Sequence, residues 1–85
     1  MKLKKEFITH DTGKEQLMIS AGGDFTGMVR SNSTAAAIIN LIKTETTRDG
    51  VIESMLAVYD VDRETLTADV DRVLNILRGI GAIDE

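Results

Sequence analysis

The hydrophobic period changes once, at Ser31, and that change confines the chain to a few α+β arrangements. Before it, Leu3 to His10, Gln16 to Ala21 and Phe25 to Ser31 carry Phe, Ile, Thr, Val and Met in partial alternation, the pattern of half-buried strands. Asp11-Thr12-Gly13-Lys14 and Gly22-Gly23-Asp24 lie between them. Both are turn compositions, since glycine allows positive φ and aspartate can bond its own backbone. The segment predicts a three-stranded antiparallel meander.

From Ser31 the apolar residues recur at helical spacing. Ser31, Asn32, Ser33 and Thr34 are all N-cap types, and Ala35, Ile38, Ile39, Leu41 and Ile42 predict a first helix ending near Thr44. Thr46 or Thr47 caps a second helix, with Val51, Ile52, Met55, Leu56 and Tyr59 on its stripe despite Gly50. Asp62 caps a third, Glu64 sits near its positive end, and Leu66, Val70, Val73, Leu74, Leu77 and Ile80 supply the stripe up to Gly81. The order is β-β-β-α-α-α. With no proline, repeat or linker, residues 1–85 are expected to form a single domain.

A chain of 85 residues buries only about 60% of the surface its unfolded form exposes, so help from a bound peptide or a second copy is plausible on size alone. Zero cysteines exclude disulfides, thiol chemistry and thiolate metal sites, and one histidine is too few for a histidine-based zinc site. No metal or other cofactor is implied. The longest apolar run is Ala35 to Ile39, far short of the roughly 20 residues of a membrane span, and the Met-Lys-Leu-Lys-Lys start runs into Glu6 rather than an apolar signal core. The expectation is a soluble cytoplasmic protein that binds no membrane. Residues 1–45 carry six Lys/Arg and five Asp/Glu, net +1, whereas residues 46–85 carry four and nine, net −5. Phosphate contacts need cations, so this balance speaks against a nucleic-acid partner.

Several local patterns suggest chemistry and each has a plainer reading. His10 and Asp11 are neighbours in a strand, so their side chains point to opposite faces, and no nucleophile accompanies them. Asp60, Asp62 and Glu64 alternate like a calcium loop, but Thr65 stands where the sharp turn needs glycine; a helix cap is the better reading. Gly22-Gly23 precedes a strand rather than a helix and is a hairpin turn, not a phosphate loop. Asn32-Ser33-Thr34 is read as capping, not as a glycosylation site.

The outer strands of the meander differ. Strand 1 contains Lys4, Lys5 and Glu6, charges that discourage edge pairing, while Thr26 to Val29 on strand 3 is uncharged, with Gly27 to let another backbone approach. Alternation assigns Phe25, Gly27 and Val29 to the core face and Thr26, Met28 and Arg30 to the other. Strand 3 is thus expected to dock an extended peptide, unless a loop, a helix or a second copy covers it. On the third helix, Ile76 lies roughly 100° from the centre of the core stripe, on the side of Thr65, Asp69 and Arg72, where it could line a groove.

These residues resemble the PqqD-like family of peptide chaperones, also called RiPP recognition elements. The resemblance rests on Gly27-Met28-Val29-Arg30-Ser31-Asn32-Ser33-Thr34-Ala35-Ala36-Ala37-Ile38-Ile39-Asn40-Leu41-Ile42, on Tyr59-Asp60-Val61-Asp62, and on Asp69-Val70 followed by Val73-Leu74, Leu77 and Gly81-Ala82-Ile83. Ser31 stands where the family usually has Leu, and Ile39 where it has Trp. The resemblance implies a winged-helix-like domain without enzymatic activity that binds the leader segment of a ribosomally made precursor peptide and presents it to a modifying enzyme. In the namesake pathway that enzyme is a radical S-adenosylmethionine protein and the product is pyrroloquinoline quinone. It also implies that the leader adds a strand to strand 3 and packs against the third helix. The backbone of Thr26, Gly27, Met28, Val29, Arg30 and Ser31 would pair with the peptide; Met28, Val73, Ile76 and Ile80 would accept its apolar side chains; Arg30, Asp69 and Arg72 would set charge and register. Without a peptide, the same edge is expected to support a weak homodimer. The alternative reading is a winged-helix DNA-binding regulator. Against it, residues Asp62 to Ile80 hold three arginines and four carboxylates, net −1, poor for a recognition helix.

Overall fold

The computed structural model describes residues 1–20 and 27–85. Its elements are β1 (Lys2–Leu3), β2 (Phe7–Asp11), β3 (Gln16–Ser20), β4 (Met28–Ser31), α1 (Ser33–Leu41), α2 (Arg48–Leu56), α3 (Arg63–Gly79) and β5 (Ile83–Asp84). Strands β2, β3 and β4 form the antiparallel meander in that order, with Asp11 opposite Gln16 and Ile19 opposite Met28. The turn between β2 and β3 uses Gly13 at φ +92°, with Thr12 N–H donating to the Glu15 carbonyl at 2.9 Å. The Gly22-Gly23-Asp24 turn, Phe25 and Thr26 lie outside the described residues.

The expected first strand is two strands. A turn across Lys4 to Phe7, in which Phe7 N–H donates to the Lys4 carbonyl at 3.1 Å, divides it, and β1 pairs with β5 instead of continuing into the meander. Lys4, Lys5 and Glu6 therefore stand in this turn, before β2 rather than along it. The charges read as guarding one sheet edge flank that edge. Lys43 does reach β2, donating to Thr9 Oγ1 at 2.7 Å, so a cation is held beside the strand.

Each helix begins on the polar residue the sequence offers. Asn32 Oδ1 accepts from Ala35 N–H at 2.9 Å, Thr47 Oγ1 from Gly50 N–H at 3.0 Å, and Asp62 Oδ2 from Thr65 N–H at 3.3 Å. Helix α1 stops at Leu41 rather than near Thr44, because the chain there turns to serve β1: the Ile42 carbonyl accepts from Leu3 N–H at 2.7 Å. Tyr59, expected on the second helix, lies in the turn after it. Helix α3 closes with Gly81 at φ +72°. Ala82 N–H donates back to the Leu77 carbonyl at 2.9 Å and Gly81 N–H to that of Arg78 at 3.1 Å, a Schellman ending that only glycine enters without strain.

One core joins the pieces. Met18 from the sheet, Ile38, Ile39 and Ile42 from α1 and the residue after it, Val51, Ile52 and Met55 from α2, and Leu66, Val70, Leu74 and Leu77 from α3 are all buried together. Leu3 and Ile83 bring the short β1–β5 ribbon into the same cluster. Arg48 Nε and Nη2 bind both oxygens of Asp71 at 2.6 and 3.0 Å, tying α2 to α3.

Candidate functional site at the β4 edge

Strand β4 pairs with β3 on one side and is the last strand of its sheet. In an antiparallel ladder successive residues direct their N–H and C=O groups to alternate sides, so two of its four residues point their backbone groups away from β3. Side chains alternate as well. Met28, 54% exposed, and Arg30 face outward, whereas Val29 packs against the core and Ser31 is buried. Gly27 precedes the strand and is exposed; Thr26 is outside the described residues.

On the helical side, Asp69 and Arg72 are brought together as an ion pair, Arg72 Nη2 to Asp69 Oδ1 at 3.1 Å. Ile76, one turn further along α3, is 53% exposed although it sits on a helix whose neighbouring stripe is almost wholly buried. Val73 belongs to that buried stripe and Ile80, at the C-cap, is half-buried against the core. These two can offer a ligand only a margin of their side chains, as floor rather than wall. Arg30 is engaged by Glu15 at 3.1 Å, an exposed pair of modest strength.

Two features were not anticipated. The first is a row across the outer face of the sheet: Ile8, Ile19 and Met28 lie in direct register on three adjacent strands, each about half exposed. The second is a small hollow of about 60 Å³ where α1, α2 and α3 converge, floored by buried Met55 and Leu66 and walled by Thr34, Tyr59, Val61, Thr65 and Asp69. Thr34 is three residues beyond the end of β4, so the hollow adjoins the C-terminal end of that strand, and Thr65 and Asp69 continue along α3 toward Arg72 and Ile76. Its lining comes from three helices and a connection, so no single stretch of the sequence signals it.

The unusual Ser31 also finds a setting. It lies opposite Gln16, which is buried and donates from Nε2 to Asn40 Oδ1 at 3.1 Å. A serine there continues a small polar patch under the sheet.

The class this defines is a small α+β domain whose meander ends, among the described residues, in a strand paired on one side only and running directly into a three-helix cluster. The profile of the family described as "Coenzyme PQQ synthesis protein D (PqqD)" matches residues 15–83, and the chain belongs to that family. A search among curated protein sequences found no match. Among solved structures the chain is similar to "TbiB1 in Complex with the TbiA(beta) Leader Peptide", at 18% identity and a TM-score of 0.78, over 99% of this chain and 100% of that one. It is also similar to "Lasso peptide synthetase B1 complexed with the leader peptide", at 18% identity and a TM-score of 0.76, over 95% of this chain and 93% of that one. At this identity the likeness is one of fold. No helix among the described residues is long and apolar enough to cross a membrane, and no group of three metal-ligating side chains is found among them.

Proposed function

We propose that this chain is a non-catalytic leader-peptide-binding domain, a RiPP recognition element, that holds the leader of a ribosomally made precursor by strand addition to β4 and presents the rest to a modifying enzyme. The observation that carries this is β4 itself, which among the described residues pairs with a strand on one side only, together with exposed Arg72 and Ile76 and half-buried Asp69 on α3. Family membership supports it, as do two structural neighbours that are themselves complexes with leader peptides.

Backbone pairing along Thr26 to Ser31 supplies affinity that is independent of sequence, and Met28, Ile76 and the margins of Val73 and Ile80 select apolar side chains. The Asp69–Arg72 and Arg30–Glu15 pairs present fixed charges that favour one register. The gain to the enzyme is proximity, since a short flexible tether raises effective concentration to about the millimolar range. The partner enzyme is a radical S-adenosylmethionine protein, the pathway that of pyrroloquinoline quinone or another modified peptide, and the compartment the cytoplasm. Without peptide, the β4 edge supports a weak homodimer. A DNA-binding role is disfavoured by charge: Arg63, Arg72 and Arg78 of α3 are engaged by Glu53, Asp69 and Glu85, so each would break an ion pair to reach phosphate.

The test is selection from a phage-displayed library of random dodecapeptides, followed by fluorescence anisotropy with the enriched peptide. Saturable binding by wild type that is lost in folded Ile76→Glu supports the reading. Failure to enrich any peptide, or unaltered binding by that variant, contradicts it.

A further inference from the structure

We infer that Lys4 and Lys5, with Lys2 beside them, form a subsite for an acidic stretch of the precursor peptide, a few residues C-terminal to the segment that pairs with β4. This deepens the proposed function and rests on it. The cations stand out because they are free. All five arginines of the chain are held by carboxylates and Lys43 donates to Thr9, whereas Lys2, Lys4, Lys5 and Lys14 have no ion-pair partner among the described residues. Strand β1 and the turn after it bring Lys2, Lys4 and Lys5 round one open depression, lined also by Leu3, Glu6 and Asp84. Lys2 stands opposite Asp84 in the ribbon, yet no ion pair joins them.

Position says what these lysines meet. Phe7 of β2 lies opposite Ser20 of β3, and Ile19 opposite Met28 of β4, so the turn from Lys4 to Phe7 adjoins the end of the sheet at which β4 begins. A strand added antiparallel to β4 runs toward Met28. The part of the precursor that follows the paired segment therefore leaves the sheet at the lysines' end. With neighbouring strands about 4.8 Å apart, the added strand lies about 14 Å from β2, a span that about four or five extended residues cross. Lys14, in the turn between β2 and β3, is at the opposite end, beside Ser31.

Charge chooses the occupant. Residues 46–85 carry four Lys/Arg against nine Asp/Glu, so an acidic stretch is repelled by the helical side and drawn to the lysine turn. Exposed pairs of this kind are individually weak. Tethering compensates, because the paired segment holds the acidic stretch at about millimolar effective concentration and the backbone of β4 has already supplied the anchoring. A long polyanion such as nucleic acid would overrun the turn and meet the carboxylates of the helices; a short run of carboxylates stays on it.

The probe is the amidated dodecapeptide enriched from the displayed library, extended through a glycine-serine spacer by a run of glutamates or of glutamines at either end, with affinities read by fluorescence anisotropy. At about 0.01 M ionic strength, where charges act over about 30 Å, the C-terminal glutamate run should bind wild type about threefold or more tighter than the glutamine run, and the gain should vanish at about 0.15 M. The double variant Lys4→Gln, Lys5→Gln, its fold checked by circular dichroism, should lose this gain and bind the unextended peptide as wild type does. Lys14→Gln should keep the gain. A gain that survives the double variant, disappears equally in Lys14→Gln, or comes equally from the N-terminal run removes the subsite and leaves strand addition standing. So does an oligothymidylate, or self-association through the acidic helices of a second copy, that depends on Lys4 and Lys5 while the glutamate run gains nothing. If the unextended peptide does not bind, both readings fall.

Discussion

Ile76 and Leu74 are two residues apart on α3, yet one is half exposed and the other fully buried. That contrast separates function from stability. Ile76→Glu puts a charge where water already reaches; the thermal midpoint should stay near that of wild type while affinity for the selected peptide falls at least about tenfold, roughly 1.4 kcal/mol. Leu74→Ala leaves a cavity in the core and should cost about 2–5 kcal/mol in denaturant unfolding. If Ile76→Glu unfolds the protein, or binds as wild type does, Ile76 has no place in the site. This division was legible in the sequence, because Leu66, Val70, Val73, Leu74 and Leu77 follow a helical period from which Ile76 departs. The hollow was not legible, since Thr34, Met55, Val61 and Asp69 come from three helices and a connection that only tertiary packing assembles.

At the scale of elements, the edge strand and the helix-to-helix tie make separate predictions. Val29→Pro removes one N–H of β4 and should abolish both peptide binding and any concentration-dependent self-association seen by light scattering. A dimer that survives this change would use another surface, the Ile8–Ile19–Met28 row being the obvious one. Between α2 and α3, the hydrogen bonds from Arg48 hold the Asp71 carboxyl below its ordinary value and raise the Arg48 guanidinium in turn. A depressed acid contributes stability above its unfolded pKa, about 3.9, that is lost as pH falls through the lower folded value. Asp71→Asn should therefore flatten the acid limb of the stability profile below about pH 4, slightly, because the pair is exposed and salt-screened. An unchanged acid limb would mean that the tie is as strong in the unfolded chain.

For the whole molecule, the ribbon of β1 and β5 brings both ends of the described chain into the core through Leu3 and Ile83. Ile83→Ala should cost about 2–4 kcal/mol, a large share of the stability of so small a protein, measured as a lowered urea midpoint with an unchanged slope. A negligible change would mean that the ribbon frays without consequence. The meander order, three helices and their caps could be read ahead of the structure because each has its own period and cap. The ribbon could not, since two-residue strands have no period. The break before β2 did leave a trace: unbroken alternation would have put Lys5 inward between Leu3 and Phe7, which no core accepts unpaired.

The central claim, that an extended peptide becomes the fourth strand of the sheet, is tested most directly by amide hydrogen exchange along Met28 to Ser31 with and without the selected dodecapeptide. Only the amides directed away from β3 can acquire a new partner, so two alternate amides should slow on binding while their neighbours, already bonded to β3, change far less. Saturable binding with no slowing anywhere in β4 would contradict strand addition and place the peptide elsewhere on the protein.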